Sequence, residues 1–227
     1  MTKILALDTS TDACSVALCV DGEIREDFRI IPRQHTQQLL PMVEQLLAES
    51  GVTVSQLDAI AFGRGPGSFA GIRIATGVTQ GLAYAADLPV LPISTLDALA
   101  LAAMEKQGAE SVVAALDARM DEIYVASYTF PAGKLVRELE EKVCAPSELE
   151  LAGERYFAVG SGWRYLEDMP SDIRLRLEVA SELYYPSAAV MLKIAQDEFL
   201  LSGGVSAEQA LPVYLRDEVA WKKKDQQ

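Results

Sequence analysis

Residues 3–30, KILALDTSTDACSVALCVDGEIREDFRI, decide the fold class of this chain. They predict three successive strands at 4–7, 15–20 and 23–30, because each run is apolar or alternating and polar turn residues bound it. Asp21-Gly22 stands between the last two runs and is typical of a two-residue hairpin, since both central positions of a type I′ turn need positive φ. The chain therefore opens on three strands in a row, the last two joined as a hairpin.

The same pattern restarts in the second half of the chain. Residues 112–117, 123–128 and 135–143 again predict three strands, and the run that ends in Asp117 echoes the one that ends in Asp8, roughly 109 residues earlier. Further elements follow the first set, with helices predicted at 36–49, 68–86 and 94–106 and strands at 59–62 and 89–93. In the second half, residues 156–159 predict a strand and 188–201 a helix.

A strand–strand–strand–helix–strand–helix unit used twice is the pattern of the ribonuclease-H-like fold of actin, sugar kinases and chaperone ATPases. We therefore predict an α/β fold of two actin-like (ASKHA) subdomains, each a mixed sheet flanked by helices. The first subdomain is predicted at residues 1–107 and a smaller second one at 108–227. We also expect that the C-terminal helix packs back on the first subdomain.

Charge and cysteine content limit the function classes. The 227 residues include 20 Lys and Arg against 33 Asp and Glu, a net charge of −13, so the isolated chain should repel nucleic acid, which binds clustered basic residues. Three cysteines, Cys14, Cys19 and Cys144, show no metal-ligand spacing, and the first two should face opposite sides of one strand. An odd number of cysteines, with Asp8 interrupting any leader-like apolar run, predicts a cytoplasmic protein without a membrane span.

The turn Asp8-Thr9-Ser10 is the first candidate site. In actin-like ATPases the turn after the first strand presents an aspartate to the metal and backbone or hydroxyl donors to phosphate. Asx and Ser/Thr turns at strand ends are also common structural features that satisfy the backbone locally. Asp8, Thr9 and Ser10 therefore have two interpretations: a structural turn, which the frequency of such turns favours, and a vestigial nucleotide-binding turn.

The Gly-rich loop at 63–71 is a more specific segment, and it fails two phosphate-binding templates. A P-loop needs a Lys before Ser or Thr, and residues 51–105 contain no Lys. The dinucleotide pattern needs an acid at the end of the next strand, whereas Asp87 precedes that strand. The loop leads into a helix rich in small residues, whose glycines suggest close approach of another backbone, within the fold or across an interface.

His35 is the single histidine, so it excludes sites that need two histidines and leaves a Ser-His-Asp triad only if His35 itself takes part. Its place just before the helix at 36–49 predicts a cap or surface residue rather than a base. Arg119, in the charged turn after Asp117, is expected to pair with a neighbouring carboxylate, and a partner-facing clamp is the alternative. We predict no catalytic residue and no metal ligand.

Five segments together resemble the bacterial TsaB (YeaZ) family, almost from end to end of the chain. They are ILALDTS at 4–10, RQHTQ at 33–37, FGRGPGSFAGIR at 62–73, LDARM at 116–120 and PVYLR at 212–216. The resemblance implies an actin-like fold and a role in making threonylcarbamoyladenosine beside the anticodon of tRNAs that read codons starting with A.

The resemblance also implies that this chain is not the catalyst. Proteins of this kind pair with a homologous catalytic subunit, TsaD, and recruit an ATPase, TsaE, so ATP and Mg are used by the complex and tRNA is met only through it. The catalytic homologue carries a metal-binding H-x-x-x-H, and Thr95 and Leu99 stand where those histidines would be. We expect this chain alone to bind no cofactor.

The partner surface is predicted on two helices, because a helix buries one stripe against its own sheet and leaves a second for a partner. In proteins that resemble this family these helices pair with their counterparts, in a homodimer when the chain is alone and in a heterodimer with the catalytic subunit. The predicted contact residues are Leu39, Val43, Leu46, Gly77, Gln80 and Gly81. An actin-like ATP phosphotransferase is the main alternative, and a nucleotide-binding dehydrogenase-type domain is a distant third.

Overall fold

The computed structural model describes residues 2–180 and 185–216. The strands are β1 Lys3–Asp8, β2 Ala13–Val20, β3 Glu23–Ile30, β4 Ala59–Gly65, β5 Val90–Ser94, β6 Ser111–Arg119, β7 Glu122–Thr129, β8 Val136–Cys144, β9 Tyr156–Val159 and β10 Leu177–Val179. The α-helices are α1 His35–Ser50, α2 Phe69–Ala86, α3 Thr95–Gln107, α4 Ser171–Arg174 and α5 Ala188–Ser202. A 3₁₀ segment at Ser161–Asp168 precedes α4.

Two five-stranded mixed sheets form the framework. The first has the order β3-β2-β1-β4-β5, in which β1 to β3 pair antiparallel and β4 and β5 join in parallel. The second has the order β10-β9-β6-β7-β8, with β6 to β8 antiparallel and β9 and β10 parallel. The same meander followed by parallel strands thus occurs twice, and the predicted α/β fold with two mixed sheets flanked by helices is confirmed.

The elements stack in layers, each pair separated by apolar side chains. One face of the first sheet packs on α1 and α2, and its other face packs on α3 and α5. Helix α3 also packs on one face of the second sheet, so one continuous core joins both halves of the chain. The 3₁₀ segment and α4 lie over the outer face of the second sheet.

Two predictions for the first sheet are confirmed, the hairpin at Asp21-Gly22 and the opposite orientations of Cys14 and Cys19. Asp21 and Gly22 both have positive φ, 54° and 92°, as the β2–β3 hairpin requires. Cys14 and Cys19 lie in the cores on opposite faces of the sheet. Burial raises the pKa of the Cys14 thiol to about 12, so this cysteine behaves as a small apolar residue.

The prediction for His35 needs correction. It begins α1, but its ring is buried and Nε2 donates to the Ala13 carbonyl oxygen at 3.1 Å. The side chain therefore ties the helix to β2 instead of capping it or facing solvent.

Elements from late in the chain lie against the first sheet. Gly108 ends α3 in a left-handed conformation, at the predicted boundary between the subdomains. Beyond the second sheet, α5 packs on β1, β2 and β4, and Val205 forms a bridge with Val90 of β5. Residues 217–227 of the predicted second subdomain lie outside the described residues.

Candidate functional site

The Asp8–Ser10 turn and the Gly-rich loop, the two candidate phosphate elements, pack directly on each other. Ser68 donates its backbone N–H to the Ser10 carbonyl oxygen at 2.7 Å, and the Thr9 hydroxyl donates to the Gly71 carbonyl oxygen at 2.6 Å. Asp8, Thr9 and Ser10 are all fully buried or nearly so. The contacts match the structural-turn interpretation, because the two hydroxyl groups that would meet a phosphate bond within the chain, that of Thr9 to the Gly71 carbonyl oxygen and that of Ser10 to the Asp8 carboxylate.

Two glycines of the loop are required by this close approach. A Cβ added at Gly71 would lie 1.9 Å from the Thr9 carbonyl oxygen, and one added at Gly67 would lie 2.5 Å from that of Ser10. These distances are shorter than any tolerated contact, so the loop needs glycine to seat against the turn rather than to surround a ligand. Because the loop also leaves Asp8, Thr9 and Ser10 buried, the residues present do not fit a phosphate and its metal at this turn.

Asp8 is the most perturbed carboxyl group of the site. Its Oδ1 accepts hydrogen bonds from the backbone N–H and the hydroxyl of Ser10, at 3.1 and 2.9 Å. Its Oδ2 is buried against Gly63 and has no hydrogen-bond partner in the described part of the chain. Burial raises the pKa of Asp8 from 3.8 to about 7, and the two bonds from Ser10 only partly oppose the shift.

An ion-pair network, which the sequence analysis missed, joins the two subdomains. Arg64, at the end of β4, donates to both carboxylate oxygens of Glu141 on β8, at 3.0 and 3.2 Å. Arg137, also on β8, donates to both carboxylate oxygens of Asp97 in the first turn of α3, at 2.7 and 2.9 Å. Ser94, the residue that caps α3, hydrogen-bonds Glu141 as well. Arg137 also donates to Glu141 Oε1, at 3.5 Å, so Glu141 accepts from groups of both subdomains.

The outer face of α2 places the two predicted glycines at the surface. Gly77 and Gly81 are exposed, and a Cβ added at either would meet no atom of residues 2–180 and 185–216 within 4 Å. Phe69 and Tyr84, 57% and 75% exposed, lie toward the two ends of the same helix. This face is consequently a shallow surface without large side chains at its centre.

The other predicted contact residues lie elsewhere. Leu39, Val43 and Leu46 are buried in the chain's own core against the first sheet, so their prediction as partner-facing residues is wrong. Gln80 is half-buried, and its side-chain amide donates to the Ala210 carbonyl oxygen at 2.9 Å, so it holds the C-terminal segment instead of facing a partner. The apolar residue that α1 exposes is Leu40.

Comparison with known proteins gives one consistent family. The family model described as TsaD, tRNA N6-adenosine threonylcarbamoyltransferase, matches residues 29–223. The tRNA threonylcarbamoyladenosine biosynthesis protein TsaB of Haemophilus influenzae is 44% identical over 97% of this chain and 96% of that protein. TsaB of Escherichia coli is 44% identical over 97% of both chains. The solved structure of YeaZ from Pseudomonas aeruginosa superposes with a TM-score of 0.89 at 48% identity, covering 95% of this chain and 100% of that one.

The chain belongs to the TsaB family. The resemblance found in the five sequence segments is therefore confirmed, and the family name places the chain in tRNA threonylcarbamoyladenosine biosynthesis. No helix among residues 2–180 and 185–216 is long and apolar enough to cross a membrane.

In this TsaB-family chain the positions expected for metal ligands have structural roles. Thr95 is fully buried and its hydroxyl donates to the Pro66 carbonyl oxygen, and Leu99 is a core residue. Across the described residues, no group of three or more His, Cys, Asp or Glu side chains is arranged to hold a metal ion. The chemistry of Thr95 and Leu99 does not suit a Zn or Fe site.

The charged turn of the second subdomain follows the expected pairing. Arg119 lies 3.3 Å from Asp117 Oδ2, and Arg164 contacts the same oxygen at 3.2 Å. Arg216 reaches this turn from the C-terminal segment, where it hydrogen-bonds the Ala118 carbonyl oxygen at 3.2 Å and pairs with Glu122. The last described residues therefore connect to the second sheet as well as to the first.

Proposed function

We propose that this chain is a non-catalytic scaffold subunit in the threonylcarbamoyladenosine modification of tRNAs that read codons starting with A. It pairs with a TsaD-like catalytic subunit, helps to recruit a TsaE-like ATPase, and meets tRNA only through that complex in the cytoplasm. When alone, it forms a homodimer through the surface that pairs with the TsaD-like subunit, so the homodimer and the heterodimer compete. The observation that carries the proposal is the exposed glycine pair on the outer face of α2.

The described residues give no explanation for the glycine pair. Each glycine in a helix interior costs about 1 kcal/mol relative to alanine, and neither Gly77 nor Gly81 avoids a clash with the chain's own atoms. Packed helices lie about 8–10 Å apart, and small residues at the contact permit the shorter end of that range. A second helix that lies across Gly77 and Gly81 would account for both residues.

Chemistry at the other candidate sites supports a non-catalytic role. The buried turn at Asp8 fits no phosphate, and Thr95 and Leu99 supply no metal site. The net charge of −13 also opposes independent binding of tRNA, which draws on clustered basic residues.

Replacing Gly77 or Gly81 by leucine should raise the Kd for the TsaD-like subunit at least tenfold, because the added side chain holds the partner helix away. The monomer should remain folded, with unchanged circular dichroism, since each position is open to solvent. Pairing is measured by calorimetry and size-exclusion chromatography. Gly77→Ala should raise the Kd by less. Ala152→Leu, which enlarges an exposed side chain on the second subdomain, should leave the Kd unchanged. Folded leucine variants that still pair normally would remove α2 from the interface.

Titration with ATP and Mg²⁺ tests the alternative of an actin-like phosphotransferase. We expect neither micromolar binding nor hydrolysis by the chain alone, because Asp8, Thr9 and Ser10 are not accessible. Micromolar affinity together with ATP hydrolysis would favour the phosphotransferase instead.

A further inference from the structure

Two aromatic rings hold an arginine at the surface, at one end of the outer face of α2. The guanidinium carbon of Arg73 lies 3.7 Å from the ring centre of Phe69 and 5.5 Å from that of Tyr214. Its Nε donates to the Tyr214 hydroxyl at 2.7 Å, a bond between residues 141 positions apart. Phe69, Arg73 and Tyr214 are called the Arg73 cluster below.

The C-terminal segment that carries Tyr214 is fixed in place. Val213 donates its N–H to the Arg64 carbonyl oxygen at 2.8 Å, and Gln80 binds the carbonyl oxygen of Ala210. The Arg73 cluster is thus assembled from two distant parts of the chain that hydrogen bonds keep together. A guanidinium held between rings has lost much of its rotamer freedom before any partner arrives, which lowers the entropic cost of binding.

Arg73 also lacks a carboxylate of its own. Most arginines of the chain pair with Asp or Glu, whereas no carboxylate oxygen of the described residues lies within 4.0 Å of the Arg73 guanidinium. Its two terminal nitrogens make no hydrogen bond in that part of the chain. The chain has 33 acidic and 20 basic residues, and yet the terminal N–H groups of Arg73 remain available to a binding partner.

We propose that the Arg73 cluster receives an Asp or Glu side chain of the protein that packs on α2. The free terminal nitrogens match a carboxylate in a bidentate pair, and the exposed rings, Phe69 at 57% and Tyr214 at 42%, provide apolar contact around it. Aromatic residues and arginine dominate the binding energy of protein interfaces. The face of α2 that carries Gly77 and Gly81 also carries Phe69 and Arg73, because these positions recur every four residues. The Arg73 cluster therefore continues the glycine stripe, and in this respect the inference rests on the proposed function.

A nucleic-acid backbone suits this surface less well than a protein carboxylate. Phosphate backbones are bound by several cations together, and Arg216, the other arginine of the segment, already pairs with Glu122. The Arg73 guanidinium, which has no carboxylate partner among the described residues and lies between two aromatic rings, favours one carboxylate with apolar surroundings.

Replacing Arg73 by methionine tests the inference, with calorimetric titration of the TsaD-like subunit at 50 mM and 500 mM NaCl. We expect a Kd about tenfold weaker at low salt, and a difference of less than threefold at high salt, where charge pairing is screened. Arg155→Met, which removes an exposed arginine on the second subdomain, should leave the Kd unchanged. Arg73→Lys keeps the charge without the planar fork and should cause about half of the loss of affinity expected for Arg73→Met. This variant tests the inference if the methionine variant does not fold.

The outcomes separate the two proposals. Equal Kd values for Arg73→Met and the wild type, with pairing still lost in Gly77→Leu, would overturn the carboxylate site and leave the scaffold role standing. Normal pairing in both variants would overturn both proposals. A loss of affinity that is the same at both salt concentrations would assign Arg73 to apolar packing. Binding of tRNA by the isolated wild-type chain that Arg73→Met abolishes would assign Arg73 to RNA. Either result would overturn the inference.

Discussion

Replacing Glu141 by alanine should lower the free energy of unfolding by about 3–5 kcal/mol, the range measured when one partner of a buried ion pair is removed. The Glu141 side chain is 7% exposed, and it accepts from Arg64 and Ser94 of the first subdomain. Its loss leaves the Arg64 guanidinium, which is 18% exposed, without a carboxylate between the subdomains. Urea denaturation followed by circular dichroism measures the change.

Glu140 provides a matched control on the same strand. Its side chain pairs with Arg137 at 3.2 Å but is 82% exposed, so Glu140→Ala should change the free energy of unfolding by less than about 1 kcal/mol. Replacing both members of the buried pair, as Arg64→Met with Glu141→Leu, should restore part of the loss because no unpaired charge remains. Equal losses for Glu140→Ala and Glu141→Ala would contradict the importance of the inter-subdomain pair.

Replacing Asp8 by asparagine should raise the free energy of unfolding at pH 8 by about 2–4 kcal/mol. Because the folded pKa of about 7 lies above the ordinary 3.8, the unfolded chain releases this proton first as pH rises. The folded state is therefore progressively destabilised between pH 4 and pH 7, by up to about 4 kcal/mol, and the cost persists above pH 7. Asparagine keeps an oxygen for the Ser10 donors and carries no charge.

Urea denaturation at pH 4 and pH 8 measures the effect of Asp8→Asn. The two proteins should have similar stability at pH 4, where the aspartate is protonated in the folded chain, and the variant should be more stable at pH 8. Asp87→Asn, at the exposed end of α2, should shift stability by less than about 0.5 kcal/mol at both values. A constant difference between wild type and Asp8→Asn across this pH range would mean that Asp8 is charged in the folded protein.

Periodic local signals predicted the framework well. Alternating and apolar runs located the strands of both meanders, and the Asp21-Gly22 pair gave the first hairpin. The same periodicity misled the interpretation of α1, since the spacing of Leu39, Val43 and Leu46 shows that a helix buries a stripe but not which surface covers it. In the structure that surface is the chain's own sheet.

Long-range contacts carry most of what the sequence could not show. Arg64 and Glu141 are 77 positions apart, and Arg73 and Tyr214 are 141 apart, so no local spacing marks either pair. The segments that resemble the family did contain Arg64, Arg73 and Tyr214, but they did not show which residues these side chains contact. The contact of β8 with the end of β4 brings Arg64 to Glu141, and the packing of the C-terminal segment along α2 brings Tyr214 to Arg73.

The position of α5 bears on how the protein is made. This helix, residues 188–202, packs on one face of the strands formed by residues 3–20. The residues of these strands are therefore synthesised long before the helix that packs on them. Ile4, Ala6, Ala17 and Cys19 are among the apolar residues on that face. On the ribosome, the nascent first half therefore exposes a hydrophobic surface until the last fifth of the chain emerges. A truncation ahead of α5 would leave that surface permanently open and prone to aggregation.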